Sequence, residues 1–142
     1  MEFIKEKKNS YNILLSNELI ELEFDNWHCH YGIEKYKSKN IINLNLNKDN
    51  SGYNLKQTIK DIYNNALNSE ELKYLELNKK FFYNPIKKNK YNIETVRIEI
   101  ISDFENLTNN KIEKNSEISG KMVINNLWIW DNSFGLKIVL KN

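Results

Sequence analysis

Strict alternation of apolar and acidic side chains over residues 20–25 constrains the fold of this chain more than any other feature. The apolar residues Ile20, Leu22 and Phe24 alternate there with Glu21, Glu23 and Asp25. Because successive side chains of a β-strand point to opposite faces, this period of two predicts a strand with one buried face and one charged face. A polar break at Ser16-Asn17 separates this strand from the apolar run over residues 11–15, so the two segments together predict a β-hairpin.

One amphipathic helix and further strands are predicted downstream. After Gly52, apolar residues recur at the spacing of one helix face; they are Leu55, Ile59, Ile62, Tyr63, Ala66 and Leu67. Strands are predicted over residues 40–46, 73–83, 92–101, 122–130 and 136–140. The loop at Asn84-Pro85 joins the second and third of these into a hairpin, and the turn at residues 131–135 joins the last two. These elements predict an α+β domain, a mainly antiparallel β-sheet of hairpins with one amphipathic helix packed on a face.

Length and composition narrow the class of protein. The 142 residues suffice for one continuous hydrophobic core and are too few for two ordinary ones, so residues 1–142 are predicted to form a single domain. A formal net charge of +2 is far below the excess expected of a dedicated nucleic-acid binder. One cysteine excludes an intramolecular disulfide framework. No apolar run reaches the length of a signal sequence or a membrane span, so a cytoplasmic protein is predicted.

Both histidines of the chain lie in the segment Phe24-Asp25-Asn26-Trp27-His28-Cys29-His30-Tyr31. His28 and His30 share one face of a regular strand, an arrangement that can present two imidazoles to a metal ion. A third ligand is needed, and the sequence offers no other histidine and places Cys29 on the opposite face, so no metal and no cofactor is predicted. Phosphate loops, nucleophile elbows and zinc-hydrolase motifs do not occur, so we predict a protein that is not an enzyme. A metal-dependent hydrolase that uses His28 and His30 is the less favoured alternative.

The strand face opposite the apolar residues carries an acidic ladder, the carboxylates of Glu21, Glu23 and Asp25, and continues into Trp27. One interpretation is a solvated strand face. The other is an interface in which Trp27 is the aromatic anchor and the carboxylates steer the partner. A β-bulge at Asp25-Asn26 would exchange the faces beyond it and bring the histidines beside the carboxylates. The predicted partner-binding residues are Glu21, Glu23, Asp25, Trp27, His28 and His30.

A second candidate site is basic and aromatic. No acidic residue occurs between Glu76 and Glu94, and lysines alternate there with aromatic residues. Lysines beside exposed aromatic rings can hold single-stranded nucleic acid by charge and stacking, whereas the same rings could instead fill the core of a hairpin. The residues of this alternative nucleic-acid site are Lys79, Lys80, Phe82, Lys87, Lys88 and Lys90. Near the end of the chain, Trp128 and Trp130 share a strand face, for which core packing is the expectation and an exposed anchor the alternative.

The segment from Phe24 to Tyr31 resembles a strand of small bacterial immunity-type proteins, the antidotes encoded beside polymorphic or contact-dependent toxins. In that family a hydrophobic strand ends in an aromatic residue, Trp-His-x-His and a second aromatic residue, which correspond here to Phe24, Trp27, His28, His30 and Tyr31. The similarity implies a cytoplasmic, non-enzymatic inhibitor that blocks the active site of a toxin. We therefore predict a protein inhibitor, of the immunity type or a phage-encoded antagonist, that binds a partner enzyme. A nucleic-acid-binding accessory protein is the alternative.

Overall fold

A ten-stranded β-sheet and one α-helix dominate the parts of the chain that the computed structural model describes, which are residues 1–47, 49–100 and 112–141. The strands are β1 Glu2–Lys7, β2 Ser10–Leu15, β3 Glu18–Cys29, β4 Glu34–Tyr36, β5 Lys39–Asn45, β6 Phe81–Tyr83, β7 Ile86–Lys88, β8 Glu94–Ile100, β9 Ser116–Trp130 and β10 Ser133–Lys141. The helix α1 spans Asn50–Leu67, and two short 3-10 helices cover Lys73–Leu75 and Leu77–Lys79. The predicted α+β class, with a mainly antiparallel sheet and one helix, is confirmed.

The sheet has an inner face that packs on α1 and an outer face that carries most of its charged side chains. Strand β8 shows the alternation, because Val96, Ile98 and Ile100 are buried while Arg97 between them is exposed. The helix presents a stripe of buried residues at helical spacing to the same core, namely Leu55, Ile59, Ile62 and Ala66. Burial of these apolar side chains on both elements is the main contribution that holds the helix against the sheet.

The strand order is β1-β2-β3-β9-β10-β8-β5-β4, and most neighbours are antiparallel. Strand β3 also pairs with β5 through Cys29 and Leu44. The path from β3 through β9, β10, β8 and β5 therefore returns to β3, and this closed ring of five strands surrounds the apolar core. Strand β9 is the longest, with 15 residues, and pairs with β2, β3 and β10.

The sheet forks where the parallel strands β10 and β8 diverge. Among the residues that the structure describes, these two strands pair only through Val139 and Leu140 of β10. At its start, β10 pairs instead with β6 in parallel, and the start of β8 pairs with β7 in antiparallel orientation. Strands β6 and β7 therefore line opposite sides of the fork, and α1 closes it from the inner face: the ring of Tyr63 lies 4.9 Å from that of Phe82.

The first predicted hairpin, the strand over 40–46, the helix and the closing hairpin are confirmed. Ser16 and Asn17 both have positive φ, at 53° and 65°, which is the backbone that a two-residue hairpin turn requires. Asp49 begins the helix, because its side chain accepts hydrogen bonds from the amides of Ser51 and Gly52. None of the helices in the described ranges is long and apolar enough to cross a membrane.

The predicted strand over residues 73–83 and its hairpin with residues 92–101 are wrong. Only Phe81–Tyr83 is a strand, and it pairs with β10; the partner of β8 on this side is β7. The preceding segment forms two 3-10 turns, separated by Glu76 in the left-handed region with φ 52°. Leu77 is buried while Leu75 is only partly so, and alternating leucines at these positions mimic the period of a strand. Strand β1 was not predicted, because Phe3 is its only buried side chain.

Candidate binding surfaces

A β-bulge in β3 decides where the predicted partner-binding residues point. Asn26 has φ 54°, and the register with β9 shifts between Phe24, opposite Gly120, and Trp27, opposite Ile118. Three steps along β3 thus match two along β9, so one extra residue reverses the alternation. Trp27 consequently lies on the inner face. The bulge at Asp25-Asn26 that the sequence left open as an alternative is present, and the assignment of Trp27 to the exposed face is wrong.

Trp27 is a core residue that connects β3 to the first turn of α1 through a hydrogen bond. Its side chain is 0% exposed, and its ring centroid lies 5.2 Å from that of Phe24. The indole Nε1 donates a hydrogen bond of 3.1 Å to Ser51 Oγ, and the Ser51 hydroxyl donates at 2.6 Å to Asp49 Oδ1. The pKa of Asp49 lies below its usual range, first because of the Ser51 hydroxyl and then because of the helix amides. A buried Trp27 therefore cannot be the surface anchor of an interface.

The acidic ladder is exposed, but two of its three carboxylates, Glu21 and Glu23, form ion pairs with lysines of the same chain. Glu21 is hydrogen bonded to Lys141, which is the main cause of the lowered pKa of that carboxyl, and Glu23 lies 3.7 Å from Lys121. Asp25 accepts a hydrogen bond from the Ser119 hydroxyl. Carboxylates that are already paired on neighbouring strands attract a basic partner less than free ones do. The acidic ladder is therefore a weak source of electrostatic steering.

The two histidines lie side by side beyond the bulge, with ring centroids 5.9 Å apart. His28 is opposite Glu117 of β9, and the ring of His30 packs edge-on against Tyr31 at 4.5 Å. Across the described residues, no group of three or more histidine, cysteine, aspartate or glutamate side chains is placed to hold a metal ion. Cys29 is buried, and burial raises the pKa of its thiol, which disfavours the nucleophilic thiolate.

The residues of the alternative nucleic-acid site do not form one surface. Phe82 points to the inner face, where its ring lies 5.1 Å from Phe134, so the expectation of a surface stacking platform at Phe82 is wrong. Lys79 forms an ion pair with Glu76 at 3.4 Å, and Lys80 Nζ donates to the carbonyl oxygen of Asp131 at 2.8 Å. The other three lysines of this set are exposed: Lys87 and Lys88 are on β7, and Lys90, in the following loop, lies over the ring of Tyr91.

Four aromatic side chains form a strip on the outer face, at the end of the sheet where β9 turns into β10. The register places Ser133 of β10 between Trp130 of β9 and Phe81 of β6. Two residues farther along β10, Gly135 lies between Trp128 and Tyr83. Small residues of β10 thus separate two pairs of large rings. We call this set, Phe81, Tyr83, Trp128 and Trp130, the aromatic strip.

Contacts within the aromatic strip fix the orientation of three of its rings, those of Trp128, Tyr83 and Phe81. A Cβ atom on Gly135 would lie 2.3 Å from Cζ2 of Trp128, so the indole lies directly across the glycine. From there it approaches Tyr83, with centroids 5.8 Å apart, and Tyr83 packs edge-on against Phe81 at 4.8 Å. Trp130 is 72% exposed, Phe81 64% and Tyr83 45%. The strip is therefore a preformed apolar surface that faces solvent.

The aromatic strip is the surface that sequence reasoning assigned incorrectly. Core packing was expected for Trp128 and Trp130, but their neighbours Leu127 and Ile129 are the buried side chains of this strand. Leu127 and Ile129 on one face and Trp128 and Trp130 on the other are all apolar, so hydrophobicity could not identify which face of the strand is buried. Gly135 was the available signal, because a glycine within a strand often marks the close approach of a bulky side chain.

Comparisons with protein-family models, with curated proteins and with solved structures find no match for this chain. The resemblance to immunity-type proteins thus depends on the sequence motif of β3 alone. Two residues of that motif, Phe24 and Trp27, are buried, whereas His30 and Tyr31 are exposed. Its aromatic residues before the histidines therefore have a structural role here, and function has to be inferred from the outer surfaces.

Proposed function

We propose that this chain is a non-enzymatic protein inhibitor, of the immunity type or a phage-encoded antagonist, which binds a partner enzyme through the aromatic strip. The observation that carries the proposal is the exposure of Trp130 and Phe81 on either side of Ser133, on two strands that both pair with β10. Contiguous exposed aromatic rings are uncommon on proteins that bind nothing, and tryptophan and tyrosine are enriched among residues that dominate binding energy.

The backbone of the strip favours tight association. Trp128 and Trp130 are on β9, which pairs with β10 along its length, and Phe81 and Tyr83 are on β6, which pairs with the other edge of β10. Rings held by a sheet and by one another lose little conformational entropy when a partner covers them. The strip is therefore organised for binding before the partner arrives.

The remaining residues predicted for partner binding lie farther along the same outer face. Strand β9 connects the regions: Glu117 is opposite His28, Lys121 is opposite Glu23, and the strand ends in Trp128 and Trp130. We propose that Glu21, Glu23, Asp25, His28 and His30 form the polar periphery of the interface. Polar residues around an apolar centre exclude water and set specificity more than affinity.

The test is binding to the product of the neighbouring open reading frame, measured with purified proteins by calorimetry. The double variant Phe81→Ala/Trp130→Ala should lose about a hundredfold or more in affinity. Tyr53→Ala is the matched control, because Tyr53 is an equally exposed aromatic residue on α1, away from the strip, and it should bind normally. Co-expression should also relieve any toxicity of the neighbour. Equal affinities of the strip variant and the control would refute the proposed surface, and a neighbour that is inert and does not bind would refute the immunity-type role.

Binding of single-stranded nucleic acid is the second candidate, now with a different stacking surface. The ammonium group of Lys87 lies 5.4 Å from the ring centroid of Tyr83, which sets a cation beside an exposed ring of the strip. Bases stack on such rings while lysines contact phosphates. Salt-dependent binding to a single-stranded oligonucleotide that Tyr83→Ala weakens would favour this function, and no binding at low salt would eliminate it.

A further inference from the structure

A groove of about 560 Å³ opens in the fork of the sheet between β6 and β7. Its floor is apolar: Ile59 and Tyr63 contribute from α1, and Phe82 and Ile86 from the two short strands. The groove exists because β10 and β8 diverge: β10 pairs there with the three-residue strand β6, and β8 pairs with the three-residue strand β7. Along this part of the sheet, α1 is therefore reachable from outside.

The rim of this fork groove is positively charged. Lys60 of α1 faces Lys87 and Lys88 of β7 across the groove. A fourth lysine, Lys56, is paired with Glu94, the one acidic residue of the lining. Within residues 1–47, 49–100 and 112–141, no carboxylate lies within 4.0 Å of the ammonium groups of Lys60, Lys87 or Lys88. Three ammonium groups that form no ion pair with the described part of the chain thus surround an apolar floor.

We infer that the fork groove binds an acidic segment of the partner protein, with an apolar side chain of that segment on the floor and its carboxylates against Lys60, Lys87 and Lys88. The inference rests on the proposed function and adds the chemistry of what the partner must present. Charge complementarity selects carboxylates, and the apolar floor gains from covering by an aliphatic or aromatic side chain.

The packing of the floor favours a peptide over a nucleic acid. The rings of Tyr63 and Phe82 are engaged with each other at 4.9 Å and with Phe134 at 6.1 and 5.1 Å. Their faces are therefore not free to stack on a base, which is the contact that single-strand binders use. The exposed rings of β6 are those of Phe81 and Tyr83, on the opposite side of that strand.

Lys87 joins the fork groove to the aromatic strip. It lines the groove, and its ammonium group also lies over the ring of Tyr83, 5.4 Å from the centroid. The two surfaces thus meet at β6 and β7, and a single partner can cover both. A partner with an apolar face and an adjoining acidic segment fits this arrangement.

Display of random short peptides, selected against the full-length protein, tests the inference. The enriched peptides should carry aspartate or glutamate around an apolar residue, and should bind more weakly as salt is raised. They should lose about tenfold or more in affinity for the variant Lys60→Glu/Lys88→Glu. The matched control is Lys5→Glu/Lys35→Glu, which changes the net charge equally at exposed lysines on β1 and β4, and it should retain the affinity.

Several outcomes would overturn the inference: no enriched peptides, enrichment without an acidic bias, or equal losses in the groove variant and its control. Binding of a single-stranded oligonucleotide that exceeds peptide binding and is lost in the groove variant would assign the groove to nucleic acid. Failure of the two proposals is distinguishable. If the strip variant abolishes partner binding and the groove variant does not, the proposed function stands and the acidic segment is rejected; if only the groove variant weakens it, the strip is rejected.

Discussion

The tryptophans of β3 and β9 have the opposite exposure to the one predicted from the sequence: Trp27 is buried and Trp130 is exposed. Both lie on long strands with alternating residues. In β3 a one-residue bulge turns Trp27 into the core, and Glu21 and Glu23 of the acidic ladder pair with lysines of the same chain. In β9 the alternation carries Trp128 and Trp130 to the outer face, where Trp130 has little cover. Exposed charged residues are thus a weaker indication of a binding site than exposed aromatic residues. The charged residues can form ion pairs within the chain, whereas an outward aromatic ring such as Trp130 stays in contact with solvent.

Truncating one tryptophan in each region is the strongest test of this comparison. Trp27→Ala should lower the free energy of unfolding by about 3–5 kcal/mol, because it leaves a cavity and removes the hydrogen bond to Ser51. Trp130→Ala should change it by less than about 0.5 kcal/mol, since the ring is mostly exposed. Urea unfolding of both variants measures the difference, and similar losses would contradict the assignment of one ring to the core and the other to the surface.

The glycine beneath Trp128 offers a test of the preformed strip. In Gly135→Ala the new methyl group would overlap the indole, so the variant should lose about 1–3 kcal/mol of stability. A shift of tryptophan emission should report the displaced ring. Gly120→Ala is the control, because its added carbon would meet ring atoms of Phe24 only at ordinary distances of 3.7 and 3.8 Å. If Gly135→Ala were as stable as that control, with unchanged emission, Trp128 would not lie across β10.

The bulge itself can be probed at Asn26, whose φ is 54°. Asn26→Val should cost about 1–2 kcal/mol, because a β-branched residue is strained in the left-handed region. Asn26→Gly should be close to neutral or slightly stabilising, since glycine adopts this backbone without strain. Thermal unfolding of the pair gives the difference. A valine variant as stable as the glycine variant would indicate that β3 runs through this point without the bulge.

The smallest expected effect concerns the acidic ladder. The Lys141 hydrogen bond lowers the pKa of Glu21, so Lys141→Met should bring that pKa back towards its ordinary value. Because the folded-state pKa is the lower one, the stabilising effect is complete above the unfolded pKa of about 4.3 and is lost as pH falls through the folded value. Carboxyl-carbon NMR titration measures the pKa. Lys137→Met, which removes a partner of Glu99 instead, should leave Glu21 unchanged.

The sequence was sufficient for elements whose signal is local. The helix, the first hairpin and the closing hairpin follow from periodicity and turn residues. Their turns were predicted correctly, but β9 begins six residues before the predicted start at residue 122, and β3 continues to Cys29. Pairings between distant segments could not be predicted this way. The pairing of β6 with β10 and of β7 with β8 arises because the parallel strands β10 and β8 diverge. No sequence pattern in residues 73–101 indicates that divergence.

The candidate surfaces could likewise be predicted only where the sequence signal is local. The bulge was foreseen as an alternative but not as the outcome, because Asn26 tolerates both a regular and a left-handed backbone. The pairing of Glu21 with Lys141 and of Glu23 with Lys121 joins residues about a hundred positions apart. The fork groove needs Lys60 of α1 and Lys88 of β7 together, which only the tertiary structure provides.

The position of β9 within the ring has a consequence for how the chain folds during its synthesis. Strands β2 and β3 are made early, yet their shared neighbour β9 is made about a hundred residues later: the Ser10 hydroxyl donates a hydrogen bond to Asn126, 116 residues away. Until β9 emerges from the ribosome, the first hairpin presents an unpaired edge and an uncovered apolar face. We expect slow folding dominated by long-range pairing, and a nascent chain that depends on chaperones until β9 has been translated.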